Sequence, residues 1–269
     1  MTRLPGRLVL LGHPVAHSLS PAFQNAALRA AGLATEYEAL DVAPADLAAT
    51  LDALRRAQAA GNVTIPHKAA MLAACAEITG VARRAGAVNT FWTRDDGTLA
   101  GDNTDVAGVE AAVRALLPSL PDRADVAVLG AGGAAAAVLT AAGAWGGGAL
   151  RLWSRRPEAA RSLAERFPGV AMASESEVAA VRGAALVVNA TPVGMRDDAQ
   201  PCPVEWLDPG ATVLDLVYRR GETPWVLAAR GRGHAAADGL GMLLEQGALS
   251  FERWFGLAPD RAAMRASVA

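Results

Sequence analysis

A chain of 269 residues, 52% hydrophobic and 19% charged, has material for one large core or two ordinary ones. A formal net charge of -2, without any dense Lys/Arg run, argues against a nucleic-acid or anionic-membrane partner. The two cysteines, Cys75 and Cys202, stand far apart with no His or Cys nearby, so neither a disulfide framework nor a metal site is expected and the chain reads as cytoplasmic.

The predicted elements alternate. Arg3 and Arg7 precede Leu8 to Leu11, a run too short for a signal-peptide core that reads instead as a buried strand. A polar loop, Gly12 to Ser20, leads into a helix from Pro21 to about Ala31, closed by Gly32. Next come a strand near Glu36 to Val42, a helix from Pro44 to Ala57, a strand at Val63 to Ile65 and a helix after Lys68. Val88 to Trp92 and Thr98 to Ala100, joined by Asp96-Gly97, read as a hairpin, and a helix and domain boundary are placed near Asp105.

The second half restarts the alternation. Strands are predicted at Val126 to Leu129, Leu150 to Trp153, Ala185 to Asn189 and Thr212 to Val217. Helices are predicted at Ala134 to Ala142, Pro157 to Phe167, Pro224 to Ala229 and Leu240 to Phe255. In the last, Leu240, Leu243, Leu244, Gly247, Ala248, Phe251, Trp254 and Phe255 share one face, and Gln246 falls opposite as a solvated residue. Val126 to Leu150 carries no charge and is long enough to span a bilayer, but Gly130, Gly132, Gly133, Gly143 and Gly146 to Gly148 break it. That pattern is a strand, a turn and a helix buried in protein. Strands alternating with helices predict an α/β fold with parallel sheets.

Three motifs carry chemistry. Asn62-Val63-Thr64-Ile65-Pro66-His67-Lys68 delivers a lysine just past a β-branched run. Proline cannot continue a central strand, so Lys68 is placed where the chain leaves the sheet, the region where α/β proteins build their sites. Gly101-Asp102-Asn103-Thr104-Asp105 offers a carboxylate at a second turn. Gly130-Ala131-Gly132-Gly133-Ala134-Ala135, between an apolar strand and an alanine-rich helix, has the form of a dinucleotide loop. After the following strand, Ser154-Arg155-Arg156 replaces the acidic residue that would bind a ribose 2′-hydroxyl, and two arginines suit a 2′-phosphate. Lysine, carboxylate and dinucleotide loop in this order are the parts of a dehydrogenase. The solvated or structural alternatives are a surface pair for the arginines, a helix N-cap for Asp105 and for Ser20, a strand former for Thr64 and a hairpin residue for Asn89.

Together the motifs resemble the shikimate dehydrogenase family. The likeness runs from Gly12 to about Gly256, through His17-Ser18-Leu19-Ser20-Pro21, the Asn62 to Lys68 run and Gly86-Ala87-Val88-Asn89-Thr90. It continues through Gly101 to Asp105, the glycine loop, Asn189 to Met195, Asp215-Leu216-Val217-Tyr218, Asp238 to Leu243 and Gln246-Gly247-Ala248. The resemblance implies an N-terminal α/β substrate domain (1–105 plus 240–269), a Rossmann-type doubly wound NADP domain (106–239) and an active-site cleft between them. It implies a monomer or homodimer that reduces 3-dehydroshikimate to shikimate with NADPH, in aromatic amino-acid biosynthesis. Lys68 would give and take the proton at the C3 oxygen, paired with Asp105. Ser18 and Ser20 would bind the substrate carboxylate, with Thr64, Asn89, Tyr218 and Gln246 as further contacts. Gly130, Ala131, Gly132, Gly133, Ala134, Ser154, Arg155, Arg156, Leu216 and Gly239 would hold the cofactor.

The chain departs from the family at three places. Ala136 stands where an arginine is frequent, Ser154-Arg155-Arg156 replaces Asn-Arg-Thr, and Arg219-Arg220-Gly221 replaces a proline. His67 stands where the family has an aromatic or aliphatic residue and is given no catalytic role. Two rival readings remain: a dehydrogenase for quinate or an aminated analogue using NAD or NADP, and a non-catalytic regulatory protein on the same fold. Lys68 and Asp105 argue against the second, because a sensor needs no proton donor.

Overall fold

Leu8 to Leu11 is buried on both faces, as a central strand in a sheet covered on both sides must be. The computed structural model describes residues 4–117, 124–146 and 148–268, so Arg3 and Gly147 lie outside the described residues. The chain divides into two units, Met1–Asp105 with Leu243–Ala269, and Val106–Met242.

The first unit opens with β1 (Arg7–Gly12), α1 (Ser20–Ala30), β2 (Tyr37–Asp41), α2 (Leu47–Arg56) and β3 (Ala59–Val63). It continues with α3 (Lys68–Ala74), β4 (Glu77–Ile78), α4 (Gly80–Ala85), β5 (Thr90–Thr93) and β6 (Leu99–Asp102). The sheet order is β2-β1-β3-β5-β6-β4. This sheet is mixed: the parallel pairing predicted from the alternation holds for β1 with β2 and β3, and the predicted hairpin adds an antiparallel pair. The turn at Gly97 (φ +80°) folds β6 back on β5, and β5 also runs antiparallel to β3, while β1 is parallel to both β2 and β3. The core beneath packs Val9, Leu11, Leu51, Leu54, Met71 and Phe91.

β3 is displaced from its predicted span. It covers Ala59–Val63, poor strand formers held by pairing with β1 on one side and β5 on the other. A Cβ at Gly61 would overlap the Val9 carbonyl, so the close approach needs glycine. Thr64 keeps one bond to the Leu11 carbonyl (2.8 Å), after which the chain leaves the sheet and Ile65 is exposed.

The second unit holds α5 (Asp105–Leu116, from Val106 on), β7 (Val126–Leu129), α6 (Gly133–Ala142), β8 (Leu150–Trp153), α7 (Pro157–Glu165) and β9 (Ala171–Ala173). There follow α8 (Glu177–Val181), β10 (Leu186–Asn189), β11 (Thr212–Asp215), α9 (Pro224–Gly231) and β12 (Ala236–Ala237). Here the sheet is wholly parallel, in the order β12-β11-β10-β7-β8-β9. From β7 the chain winds outward through β8 and β9, then returns to β10 and winds the other way. That doubly wound order places its reversal between β7 and β10, where such sheets bind nucleotides. Ala127, Leu129, Val187, Val213, Trp225 and Val226 pack one side of it.

Last come α10 (Leu240–Phe255) and α11 (Arg261–Ala266), capped by the Asp260 carboxylate on Ala263 N–H. The predicted apolar face of α10 is present, but burial extends beyond it to Gln246 and Ser250. No helix among the described residues is long and apolar enough to cross a membrane.

Candidate active site

Lys68 is the first residue of α3, delivered by the turn that Pro66 makes after β3. Its Nζ donates to Asp105 Oδ2 at 2.6 Å, with the lysine side chain 20% and the carboxylate 9% exposed. Asp105 opens α5, and its side chain is committed to Lys68 and Asn89, a tertiary role where a local cap was the simpler reading. Asn89 Nδ2 donates to Asp105 Oδ1 at 2.8 Å, so each carboxylate oxygen has its own donor. An ammonium held this way keeps a fixed position while part of its surface still meets solvent. An ammonium so held can hand a proton to an oxygen bound beside it.

The first unit also holds the other predicted substrate residues of that unit, of which Asn89 and Gln246 are joined to this pair by hydrogen bonds. Gln246 Oε1 accepts from Asn89 Nδ2 (3.2 Å), and its own amide donates to the Leu243 carbonyl (2.8 Å). Gln246 is 6% exposed, which corrects its reading as a solvated residue: α10 is buried over an arc wider than its apolar stripe. Ser18 Oγ accepts from the Ser20 amide at 3.2 Å. Ser20 is buried as the first helical residue of α1, after Leu19 as N-cap, and so does not cap the helix as the Ser-Pro pattern predicted. Thr64 packs its methyl against Gly12, where a Cβ would collide with it. His67 is 2% exposed and its Nε2 lies 2.7 Å from the Val42 carbonyl. A carbonyl only accepts, so that nitrogen carries the proton and ties α3 to the end of β2.

Sequence reasoning missed the groups that surround Asn89. Thr104 N–H donates to Asn89 Oδ1 (2.7 Å), Thr90 Oγ1 donates to the same oxygen (3.0 Å), and Asn62 is buried among Thr90, Ser250 and Tyr37. The signal available was Asn62 inside a strand, since asparagine is rare there without a side-chain partner. Asp102 was another. It is buried and held by Thr79 Oγ1 and Arg253 Nη2, both at 2.5 Å, which ties β6 to the last turns of α10. A groove of about 490 Å³, lined by Gln58, Trp92, Arg94 and Trp254, opens at the opposite ends of β3 and β5 and holds none of the motif residues.

The second unit carries the residues predicted to hold the nucleotide. Gly130, at φ +117°, lies so close to β10's exit that a Cβ would stand 2.7 Å from the Ala190 oxygen. A Cβ at Gly132 would meet nothing within 4 Å, so the loop is open on that side. The first intrahelical bond of α6 runs from Ala136 N–H to the Gly132 carbonyl, leaving the amides of Gly133, Ala134 and Ala135 for an anion. Ala131 completes the loop. These residues fit a dinucleotide pyrophosphate. Ser154 Oγ accepts from Arg156 N–H (3.3 Å), and the Arg155 and Arg156 side chains are exposed with no acidic partner among the described residues.

Leu216 and Gly239 meet at another tight crossing, where a Cβ on Gly239 would stand 2.6 Å from the Leu216 carbonyl carbon. Tyr218 lies half-buried just beyond. β11 stops at Asp215, two residues short of prediction, because the buried carboxylate itself takes Val217 N–H (3.1 Å), Asn189 Nδ2 (2.8 Å) and Thr223 Oγ1 (2.7 Å). Burial raises the Asp215 carboxyl above its ordinary range, against the pull of those three donors.

Comparison with known proteins agrees with this architecture. Residues 10–91 match the model of the shikimate dehydrogenase substrate binding domain, and residues 239–269 match that of the shikimate 5′-dehydrogenase C-terminal domain. A shikimate dehydrogenase (NADP(+)) of Rubrobacter xylanophilus is 45% identical over 264 residues, covering 95% of this chain and 93% of that one. The structure of a shikimate 5-dehydrogenase from Thermus thermophilus, in complex with NADP(H) and shikimate, is 40% identical with a TM-score of 0.87, covering 97% and 98% of the two chains. A quinate dehydrogenase of Corynebacterium glutamicum, in complex with NAD, is 32% identical with a TM-score of 0.88 over 97% of each chain. The fold, the intact lysine–aspartate pair and these identities over nearly the whole chain place the protein in the shikimate dehydrogenase family.

Proposed function

We infer that the protein catalyses the reversible, NADP-dependent reduction of 3-dehydroshikimate to shikimate. The observation that carries the reading is the Lys68–Asp105 contact of 2.6 Å, with Asn89 on the second carboxylate oxygen. NADPH, when bound, supplies the hydride. Reduction of a ketone then leaves negative charge on its oxygen, and the Lys68 ammonium stabilises that charge and donates the proton. In the oxidative direction the neutral amine takes the proton back. Asp105 holds the lysine by one oxygen and is itself held by Asn89, so the donor does not wander between turnovers. Ser18 and Ser20 are read as hydroxyl donors to the substrate carboxylate, and Thr64, Asn89, Tyr218 and Gln246 as contacts to its ring substituents.

The glycine loop is read as the pyrophosphate cradle, with Ser154, Arg155 and Arg156 on the 2′-phosphate and Leu216 and Gly239 beside the nicotinamide end. Residues 1–105 with 240–269 form the substrate domain and 106–239 the NADP domain in this reading. The enzyme works in the cytoplasm on a small-molecule substrate, as a monomer or homodimer. A net charge of -2 favours no nucleic-acid partner.

Initial rates followed by nicotinamide absorbance test the reading, comparing shikimate with quinate, each with NADP+ and with NAD+. The largest kcat/KM is expected for shikimate with NADP+. A preference for quinate or NAD+ would reassign the substrate or the cofactor, and silence in all four mixtures from folded protein would overturn the activity.

A further inference from the structure

Behind the Lys68–Asp105 pair lies a cluster of hydroxyl and amide groups whose central residue belongs to none of the motifs. Ser250, on α10, is fully buried at its centre. Its Oγ lies 2.8 Å from Asn62 Nδ2, 2.8 Å from Thr90 Oγ1, 3.1 Å from Thr104 Oγ1 and 2.9 Å from the Gln246 carbonyl one turn back. Thr90 and Thr104 in turn place their hydroxyls 3.0 and 3.2 Å from Asn89 Oδ1. The Tyr37 phenol donates to Asn62 Oδ1 (2.9 Å) and so turns the Asn62 amide nitrogen towards Ser250.

Counting protons gives Ser250 a definite job. Its single hydroxyl proton goes to the Gln246 carbonyl, which only accepts, so towards the cluster its oxygen is an acceptor. Thr90 and Thr104 bring two hydroxyl protons. Ser250 Oγ takes one and leaves the other for Asn89 Oδ1. With its oxygen so engaged, and Thr104 N–H on the same atom, Asn89 must present its amide nitrogen to Asp105. Without the serine oxygen, the two threonine protons are left to Asn89 Oδ1, to Gln246 Oε1 and to each other (Thr90 Oγ1 to Thr104 Oγ1, 3.0 Å), so the bonds to Asn89 are no longer fixed, and Asn62 loses an acceptor.

We propose that Ser250 is a positioning residue for proton transfer, acting through Thr90, Thr104 and Asn89 to keep Asp105, and with it Lys68, in place. The inference rests on the reaction proposed above. Small displacements at a reacting pair cost rate more than affinity.

The test is Ser250→Ala, assayed with shikimate and NADP+ in the wild-type and Asn89→Ala backgrounds, with thermal melting alongside. In the wild-type background kcat should fall about tenfold while KM for NADP+ stays within about twofold. In the Asn89→Ala background the same substitution should cost nothing further, because its route to Asp105 is already cut. Thr104→Val, which keeps the shape and the backbone bond to Asn89, carries the same expectation if Ser250→Ala does not fold. An unchanged kcat, or an equal loss in both backgrounds, would overturn the proposal while leaving the reaction standing. Wild-type protein inactive with shikimate and NADP+ would remove the reaction itself, and the proposal with it.

Discussion

At Asn89 one amide serves two neighbours of opposite character. Thr104 N–H needs an acceptor and the Asp105 carboxylate needs a donor, so only one orientation of the amide satisfies both. Turned over, it would set oxygen against carboxylate and N–H against N–H. Nothing in the sequence around Asn89 announces this, since both partners come from the Gly101 to Asp105 turn, which reaches it only through the sheet. Lys68 and Asp105 were legible because short motifs deliver them; Ser250 and the burial of Gln246 were not, because only packing of α10 against β5 and β6 residues reveals them. For Arg155 and Arg156 the sequence offers their place at the end of the second strand of the unit, and the structure leaves both side chains exposed with no acidic partner among the described residues. Arg155→Ala should weaken NADPH binding about ten- to a hundredfold, as loss of a charged hydrogen bond does, and NADH much less. Fluorescence titration of both nucleotides checks this, and equal losses would remove the 2′-phosphate assignment.

At the scale of elements, α10 meets α1 without spacing side chains. Gly247 sits against the Phe23 ring, and its carbonyl accepts from the buried Gln24 amide at 2.9 Å. A Cβ at Gly247 would overlap that ring, 2.7 Å from its Cζ, and Phe23 is wholly buried. Gly247→Ala should therefore destabilise the fold by about 1–3 kcal/mol through overpacking, despite alanine's better helix propensity. Denaturant unfolding measures it, and a stability gain would mean that the ring moves aside freely. Gly247 lies on the predicted apolar face of α10, and the breadth of its burial was misread only at residues such as Gln246, which look exposed until neighbouring elements cover them. β3 shows the converse. Its residues are poor strand formers by composition, and pairing on both sides holds them in the sheet where β-branched Val63 to Ile65 had seemed the strand.

Across the whole molecule, the second unit was readable nearly element by element. β7 and β8 coincide with their predicted spans: β7, buried on both faces, is a continuous apolar run between Asp125 and Gly130, and β8 alternates buried Leu150 and Leu152 with half-buried Arg151 and Trp153. The two-residue β4 and β12 and the short β9 escaped notice, having too few residues to show any period. In the first unit the alternation of elements and the hairpin at Asp96-Gly97 were legible, but the antiparallel pairing of β5 with β3 was not, since periodicity carries no sign of direction. In the proposed reaction the proton comes from residues of the first unit and the hydride from a nucleotide read by the second. The measurement that addresses this account most directly is the turnover of Lys68→Ala, with shikimate binding followed separately by calorimetry. The account predicts a fall in kcat of about 10²–10⁴ with shikimate still bound. A variant with unchanged kcat and only a raised KM would contradict it.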